Sequence, residues 1–322
     1  MVKKEINNIP TIYIKAGSIP QAVYRAIKAV DQKGYSLRTQ YDRKNPNVEF
    51  MDPPGRDARV FIEIVNPFAQ PRFPVTSYSE VGKYIAEVLG AKDHLVVPHG
   101  ELLEMIRGRK EFEPTKWPYC YHQRLTAYPG SSGVINQLEM ITDKLAADPI
   151  TRRAVAITGV PEIDLFMKQD MPCLREIQLR ALEGREGELV LHTFTRWRGR
   201  DLYKAWADNT IALTNLIQVE VVPRLAEKTG KKVVIGPYSE ENGSLHLYGQ
   251  DYTEKGLDQF STNFPTEKSF VARAMTSEDA KNKLVLPQLR DLREETTWNF
   301  GEKELGIIDM LVKGYESGRF TP

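Results

Sequence analysis

"REIQLRALEGREGELVLHTFTRWRGRD", residues 175–201, holds two strand-like runs on either side of the polar turn "EGREGE". Apolar and polar side chains alternate in both runs, the pattern of a half-buried antiparallel hairpin. Folded about a turn centred near 185–186, it sets residue 173 opposite about residue 198, so Cys173 and Arg198 become cross-strand neighbours. Arg196 and Arg198 share one strand face by the period of two, while Arg200 falls at the strand end.

Outward from this hairpin the chain reads as helices and strands without strict βαβ order, which predicts an α+β fold rather than a doubly wound sheet. Ser18, Pro20 and Gly34 bracket a helix over 18–33, and the β-branched alternation of 57–65 predicts a strand. A second helix follows Ser79 as cap. Val134, Ile135, Leu138, Ile141 and Leu145 fall on one face of a helix that ends before Pro149, and "RRAVAITGVP" reads as a buried strand running to Pro161. A helix over 209–224 comes after the hairpin, and "EKELGIIDMLVKGYE" is a further helix near the C-terminus.

Composition limits the function. The 322 residues are 41% hydrophobic, enough for a substantial core. Lys plus Arg number 44 against 43 Asp plus Glu, so the basic surplus of a nucleic-acid binder is missing and any anion must be met by a few placed arginines. The five histidines lack metal-ligand spacing and two cysteines, Cys120 and Cys173, make no zinc cluster or disulfide framework; no metal is expected. "MVKKEINNIP" lacks the apolar run of a signal peptide and no window suits a membrane span, so a cytoplasmic protein without membrane association is expected.

Several side chains admit two readings. Cys173 is a packing thiol or, beside Arg175, Arg180, Arg196, Arg198 and Arg200, a nucleophile whose thiolate is favoured by cations. Arg152 and Arg153 are a surface pair or a phosphate clamp. Asn209 is a helix N-cap, or an amide whose donor and acceptor read the N3–H and O4 edge of uracil. Asp201 can be a turn aspartate. His246 and Tyr248, on one side of a short strand, are half-buried packing groups or hold a sugar hydroxyl between them.

Taken in order, these segments resemble the thymidylate synthase family, most specifically between about residues 97 and 250. "PCLREI" at 172–177 resembles the nucleophile motif of its archaeal-type branch. "RGRD" at 198–201 is similar to the Arg-Ser-x-Asp segment with Gly199 in place of serine, and Asn209 follows Asp201 at the family's spacing of eight. "DPITRR" at 148–153 resembles the segment whose arginines reach a phosphate across the dimer, and "HLY" at 246–248 the deoxyribose motif. "DR" at 42–43, "ELLEMIRG" at 101–108 and "YCYHQRL" at 119–125 resemble the phosphate loop, the catalytic-glutamate segment and a tyrosine-bearing stretch. The loop after Arg43 lacks the family's glycines, Leu174 stands where many members have histidine, and "ESGRFTP" differs from the family's apolar C-terminus.

The resemblance implies a large mixed β-sheet flanked by helices, in a single domain over 1–322 whose part from about 251 to 322 is divergent. It implies Cys173 as nucleophile, with Glu101 (or Glu104), Asn209, Asp201 and Tyr121 in the catalytic group. Arg43 and Arg198, with Arg152 and Arg153 of a second subunit, would hold the phosphate, and His246 and Tyr248 the sugar. The implied reaction is C5 methylation of dUMP to dTMP by a homodimer with 5,10-methylenetetrahydrofolate as co-substrate. A pyrimidine nucleotide hydroxymethylase acting on dUMP or dCMP, and a catalytically idle nucleotide-binding protein, are the alternatives.

Overall fold

The computed structural model describes residues 8–167 and 171–322; the expectation of no leader concerns positions that lie largely outside them. Alternating residues of Thr11–Ala16 (β1) face inward, and Ser18 then precedes helix Ile19–Lys33 (α1), as the periodicity predicts. Tyr35–Leu37 (β2) and Gly55–Ile64 (β3) follow, then helices Val81–Val88 (α2), His99–Ile106 (α3) and Tyr121–Thr126 (α4). A short hairpin, Tyr128–Gly130 (β4) with Gly133–Ile135 (β5), leads to helix Gln137–Ala147 (α5), Val155–Ile157 (β6) and Pro161–Asp164 (α6). The hairpin of 175–201 is Leu174–Glu183 (β7) with Leu189–Trp197 (β8), and Arg200–Asp201 (β9) continues it. Helices Trp206–Leu216 (α7) and Val222–Thr229 (α8), the long strand Val233–Leu247 (β10) and Gly249–Glu254 (α9) complete the central part.

The sheet runs β1-β3-β10-β8-β7-β6, with β2 beside β3 and β9 beside β10. Parallel and antiparallel pairs are mixed: β1–β3 and β10–β8 are parallel, whereas β3–β10, β7–β8 and β6–β7 are antiparallel. The α+β class and the large mixed sheet are as expected. So is the hairpin register, because Leu174 pairs with Trp197 and the Arg198 amide donates to the Cys173 carbonyl at 2.9 Å. Two register shifts fall beside that point, between Leu174 and Glu176 in β7 and between Asn242 and Leu245 in β10. Bulges of this kind re-aim side chains at the end of a ladder. Gly243 sits in the second one, and a Cβ there would stand 3.0 Å from the Arg198 carbonyl oxygen.

One hydrophobic core runs from Ile12 to Phe320. It lies between one sheet face and α1, α5, α7 and α8, and it includes Leu289, Leu292, Ile308, Leu311 and Tyr315 of helices Leu286–Glu294 and Glu302–Glu316. The second of these is the helix read from "EKELGIIDMLVKGYE".

Elsewhere the chain departs from expectation. Val134 and Ile135 are strand residues exposed to 75% and 36%, not part of a helix face. Gly133, at φ +124, turns the chain, and the Asn136 side chain caps the helix by accepting from the Glu139 amide. The cap of α2 is Glu80, not Ser79. The strand expected up to Pro161 is only Val155–Ile157. The helix expected from 209 begins at Trp206, and a π turn at Ile217–Val221 interrupts it just before Pro223, which has no amide to donate.

Candidate functional site

Cys173 enters β7 half-buried, packed against the core. Its local geometry is set by Arg198 opposite. The Arg198 Nη2 donates to the Met171 carbonyl at 2.6 Å and its Nε to the Pro172 carbonyl at 3.3 Å. The guanidinium therefore anchors the loop that carries the thiol. The phenols of Tyr121 and Tyr248 lie within electrostatic range of the Cys173 thiol. Burial pushes the Tyr121 hydroxyl well above its ordinary range, with Tyr84, Tyr119 and Cys173 adding to it.

Tyr121 starts α4 and meets Trp197 edge-on, with ring centroids 5.9 Å apart. Its neighbours in sequence fix it there. The Cys120 Sγ donates to Asp93 Oδ1 at 3.0 Å, and His122 Nδ1 contacts Asp93 Oδ2 at 2.6 Å, so one carboxylate holds both flanks. Burial pushes the Cys120 thiol up, as suits a packing group.

His246 and Tyr248 meet edge to face at 4.7 Å. They line a cavity of about 170 Å³ with Asp57, Ser244 and Tyr41. The Ser244 hydroxyl lies 3.1 Å from His246 Nδ1, and Asp57 Oδ1 is buried without a hydrogen-bond partner. Burial holds His246 below its usual range, against the pull of Asp57. A Cβ on Gly199 would stand 3.9 Å from the Ser244 Cβ, which brings a serine next to the position where "RGRD" lacks one.

Asp201 pairs with His246 between β9 and β10. Its Oδ1 accepts from the Tyr203 and Lys204 amides at 3.0 and 2.9 Å, making it a turn aspartate. Burial pushes its carboxyl up to about 6, although the Lys204 amide opposes this.

Asn209 lies inside α7, one turn from its start, and is not an N-cap. Its Oδ1 accepts from Arg200 Nε at 3.1 Å and its Nδ2 donates to the Tyr84 hydroxyl at 2.6 Å. Beside it, burial pushes the Asp208 carboxyl up to about 7, against the Ser77 hydroxyl. Asp208 Oδ1, Ser77 Oγ and Thr76 Oγ1 are all buried, with the Ser77 hydroxyl close enough to Asp208 to favour its carboxylate.

The remaining expected residues stand further out. Arg43 pairs with Asp52 and Glu254. Glu101 pairs with Lys110, and Glu104 with Arg107 and Arg109; their helix, α3, packs through Leu102, Leu103 and Ile106 on Ile163 and Met167, upstream of Cys173. Arg152 and Arg153 are exposed on the turn before β6, where Gln178 donates to the Arg152 carbonyl. At about 3.3 Å per residue, Gln178 is roughly 16 Å along the strand from Cys173. On the open sheet face, Arg59, Arg175, Arg196, Arg198 and Glu241 line a trough of about 620 Å³.

Sequence reading missed Arg200, which it placed at a strand end. Arg200 is 2% exposed and pairs with the fully buried Glu240. Tyr84, Asp57 and Ser244 were missed too, and no local motif marks them.

No protein-family model matches the chain. Among curated proteins, one named "Putative thymidylate synthase" from Methanocaldococcus jannaschii is 33% identical over 151 residues, 46% of this chain and 61% of that protein. One of the same name from Methanosarcina barkeri is 24% identical over 242 residues, 74% of this chain and 90% of that protein. Among solved structures, thermostable thymidylate synthase A of Bacillus subtilis superposes with a TM-score of 0.53 at 17% identity, covering 75% of this chain and 83% of that one, a likeness of fold. Sequence and fold point the same way: the chain is similar to archaeal proteins named putative thymidylate synthase, and its fold is that of a thymidylate synthase.

Proposed function

We propose that the protein methylates dUMP to dTMP, with 5,10-methylenetetrahydrofolate as co-substrate. The observation that carries this is convergence: Cys173, Tyr121, Arg198, Asn209, His246 and Tyr248, from five separate segments, gather around one end of the sheet. In this reading the Cys173 thiolate adds to C6 of the pyrimidine, and the negative charge passes to the C4 carbonyl oxygen, where the Asn209 amide donates. The nucleophilic C5 would then bond to the one-carbon unit and lose its proton to a base as that carbon's bond to the folate nitrogen breaks; the thiolate would depart from C6 as hydride, or water in the hydroxymethyl outcome, reaches the exocyclic carbon. His246 and Tyr248 hold the sugar hydroxyl. Arg198 and Arg43 face the phosphate, with Ser244 offering a hydroxyl next to Gly199.

Buried polar atoms at Thr76, Ser77 and Asp208, beside Asn209, form a donor and acceptor set of the kind a pterin edge would satisfy. Bound there, the folate would supply the one-carbon unit and the hydride that completes a methyl group.

A homodimer fits the same reading. Tyr13 and Phe61, on one sheet face, are 62% and 39% exposed, and Phe61 stacks on Phe194 at 6.0 Å. A second copy covering that face would bring its own Arg152 and Arg153 towards this site, which they are poorly placed to reach within one chain.

One observation favours a second outcome. Asp208, a buried carboxyl raised to about 7 beside Asn209, would hold a water where hydride is otherwise delivered, giving a hydroxymethyl group. Incubation with dUMP and methylenetetrahydrofolate, followed by mass analysis of the nucleotide, tests both. Methylation adds CH2 with one dihydrofolate per turnover; hydroxymethylation adds CH2O and releases tetrahydrofolate. No product from dUMP or dCMP sinks the enzymatic reading.

A further inference from the structure

In the core beside Asn209, Arg200 is held from every side. Its Nη1 pairs with Glu240, its Nη2 donates to the Trp206 carbonyl at 2.8 Å and to Thr210 Oγ1 at 3.0 Å, and its plane lies 3.9 Å over the Trp197 ring. Glu240 is held as firmly, accepting from Trp206 Nε1, from Asn242 Nδ2 at 2.7 Å and from the Tyr238 hydroxyl at 2.9 Å. Arg200 Nε is left to meet Asn209. A guanidinium has five donors and no acceptor, so it can face only the amide oxygen. The Asn209 amide is thereby fixed with Oδ1 towards Arg200 and Nδ2 towards Tyr84.

Each amide heavy atom keeps one further valence: a lone pair on Oδ1 and an N–H on Nδ2. Uracil presents a donor at N3 and an acceptor at C4, whereas cytosine presents the reverse. An asparagine free to turn over serves either base; one pinned by an arginine serves one. We propose that Arg200 is the positioning residue that restricts Asn209 to a single orientation, so that the site accepts a 4-oxo pyrimidine and refuses a 4-amino one. This rests on the reading of the site as a pyrimidine-nucleotide site. Tyr84 does not set the direction, because a hydroxyl both donates and accepts.

The test is calorimetric binding of dUMP and dCMP to three proteins: wild type, Arg200→Lys, and the double variant Arg200→Gln with Glu240→Gln. Lysine can only donate, so Arg200→Lys keeps the preference for dUMP. Glutamine donates or accepts, and pairing it with Glu240→Gln leaves no lone buried charge, so the preference falls by at least about tenfold. A folded double variant that keeps the wild-type ratio overturns the inference and leaves the site reading intact. A wild type that prefers dCMP overturns the 4-oxo assignment. A wild type that binds neither nucleotide removes the site reading itself. Should the double variant not fold, hydrogen exchange in asparagine-labelled wild type decides. The Asn209 side-chain amide protons should exchange far more slowly than those of an exposed asparagine, and equal rates overturn the lock.

Discussion

Arg198 and Arg200 stand two positions apart, and an unbroken strand would set both on one face. Arg198 is exposed and donates to two loop carbonyls before Cys173. Arg200 is enclosed by two tryptophans and a carboxylate. The reason is that β8 ends at Trp197 and the chain re-enters the sheet at Arg200 against β10, so Gly199 separates two strands and not two turns of one alternation. The site accordingly has a rim, where cations and a thiol meet solvent, and a floor, where a buried ion pair orients an amide. Rim substitutions should change rates, and floor substitutions should change stability.

The largest expected effect is at the rim. Cys173→Ala should lower kcat by on the order of 10⁴-fold or more, the scale on which removing a nucleophile acts, while dUMP binding persists and Cys120→Ala remains active. Turnover retained in Cys173→Ala would sink the nucleophile assignment. At the floor, Glu240→Ala leaves Arg200 buried without its carboxylate and should cost about 3–5 kcal/mol in urea unfolding. Arg198→Ala, losing exposed hydrogen bonds to carbonyls, should cost about 1 kcal/mol. Equal losses would erase the distinction between the two regions.

The pH dependence of stability sharpens it further. Burial raises the folded-state pKa of Asp208 to about 7, above its unfolded value of 3.8, so its contribution is fully present below about 3.8 and is lost as pH rises through about 7. Between pH 5 and 8, Asp208→Asn should therefore gain roughly 2–3 kcal/mol on the wild type, with little further change above pH 8. Asp201, raised to about 6, acts with the same sign over a lower window. A stability difference between Asp208→Asn and wild type that stays flat over this range would mean that Asp208 titrates normally.

The smallest effect tests whether the rim is shared. Random pairing of Arg152→Ala with Cys173→Ala subunits makes half the dimers hybrid, each with one intact site, so about a quarter of wild-type activity should return. No recovery after proven subunit exchange would show that each site is built from one chain.

Much of the candidate site's geometry was legible because its signals are local. Cys173 opposite Arg198 follows from one turn and one alternation, and His246 with Tyr248 follows from a spacing of two. Asn209 was legible as a residue but not as a geometry, since its cap-like position after "WAD" hid that the helix begins earlier, at Trp206. The exposed strand at Val134 and Ile135 was misread because apolar residues before an N-cap share helical spacing with those after it.

By itself the sequence determined the hairpin and its register, the α+β class and the order of the chemistry-bearing residues, because strand alternation and turn composition act over a few neighbouring positions. Only the tertiary structure decided the fate of Arg200 and the orientation of Asn209. The carboxylate that meets Arg200 lies 40 residues away, and the hydroxyl that meets Asn209 lies 125 residues away. Burying a charge is tolerable only where such distant partners converge on it, and no pattern within the strand can announce that they do.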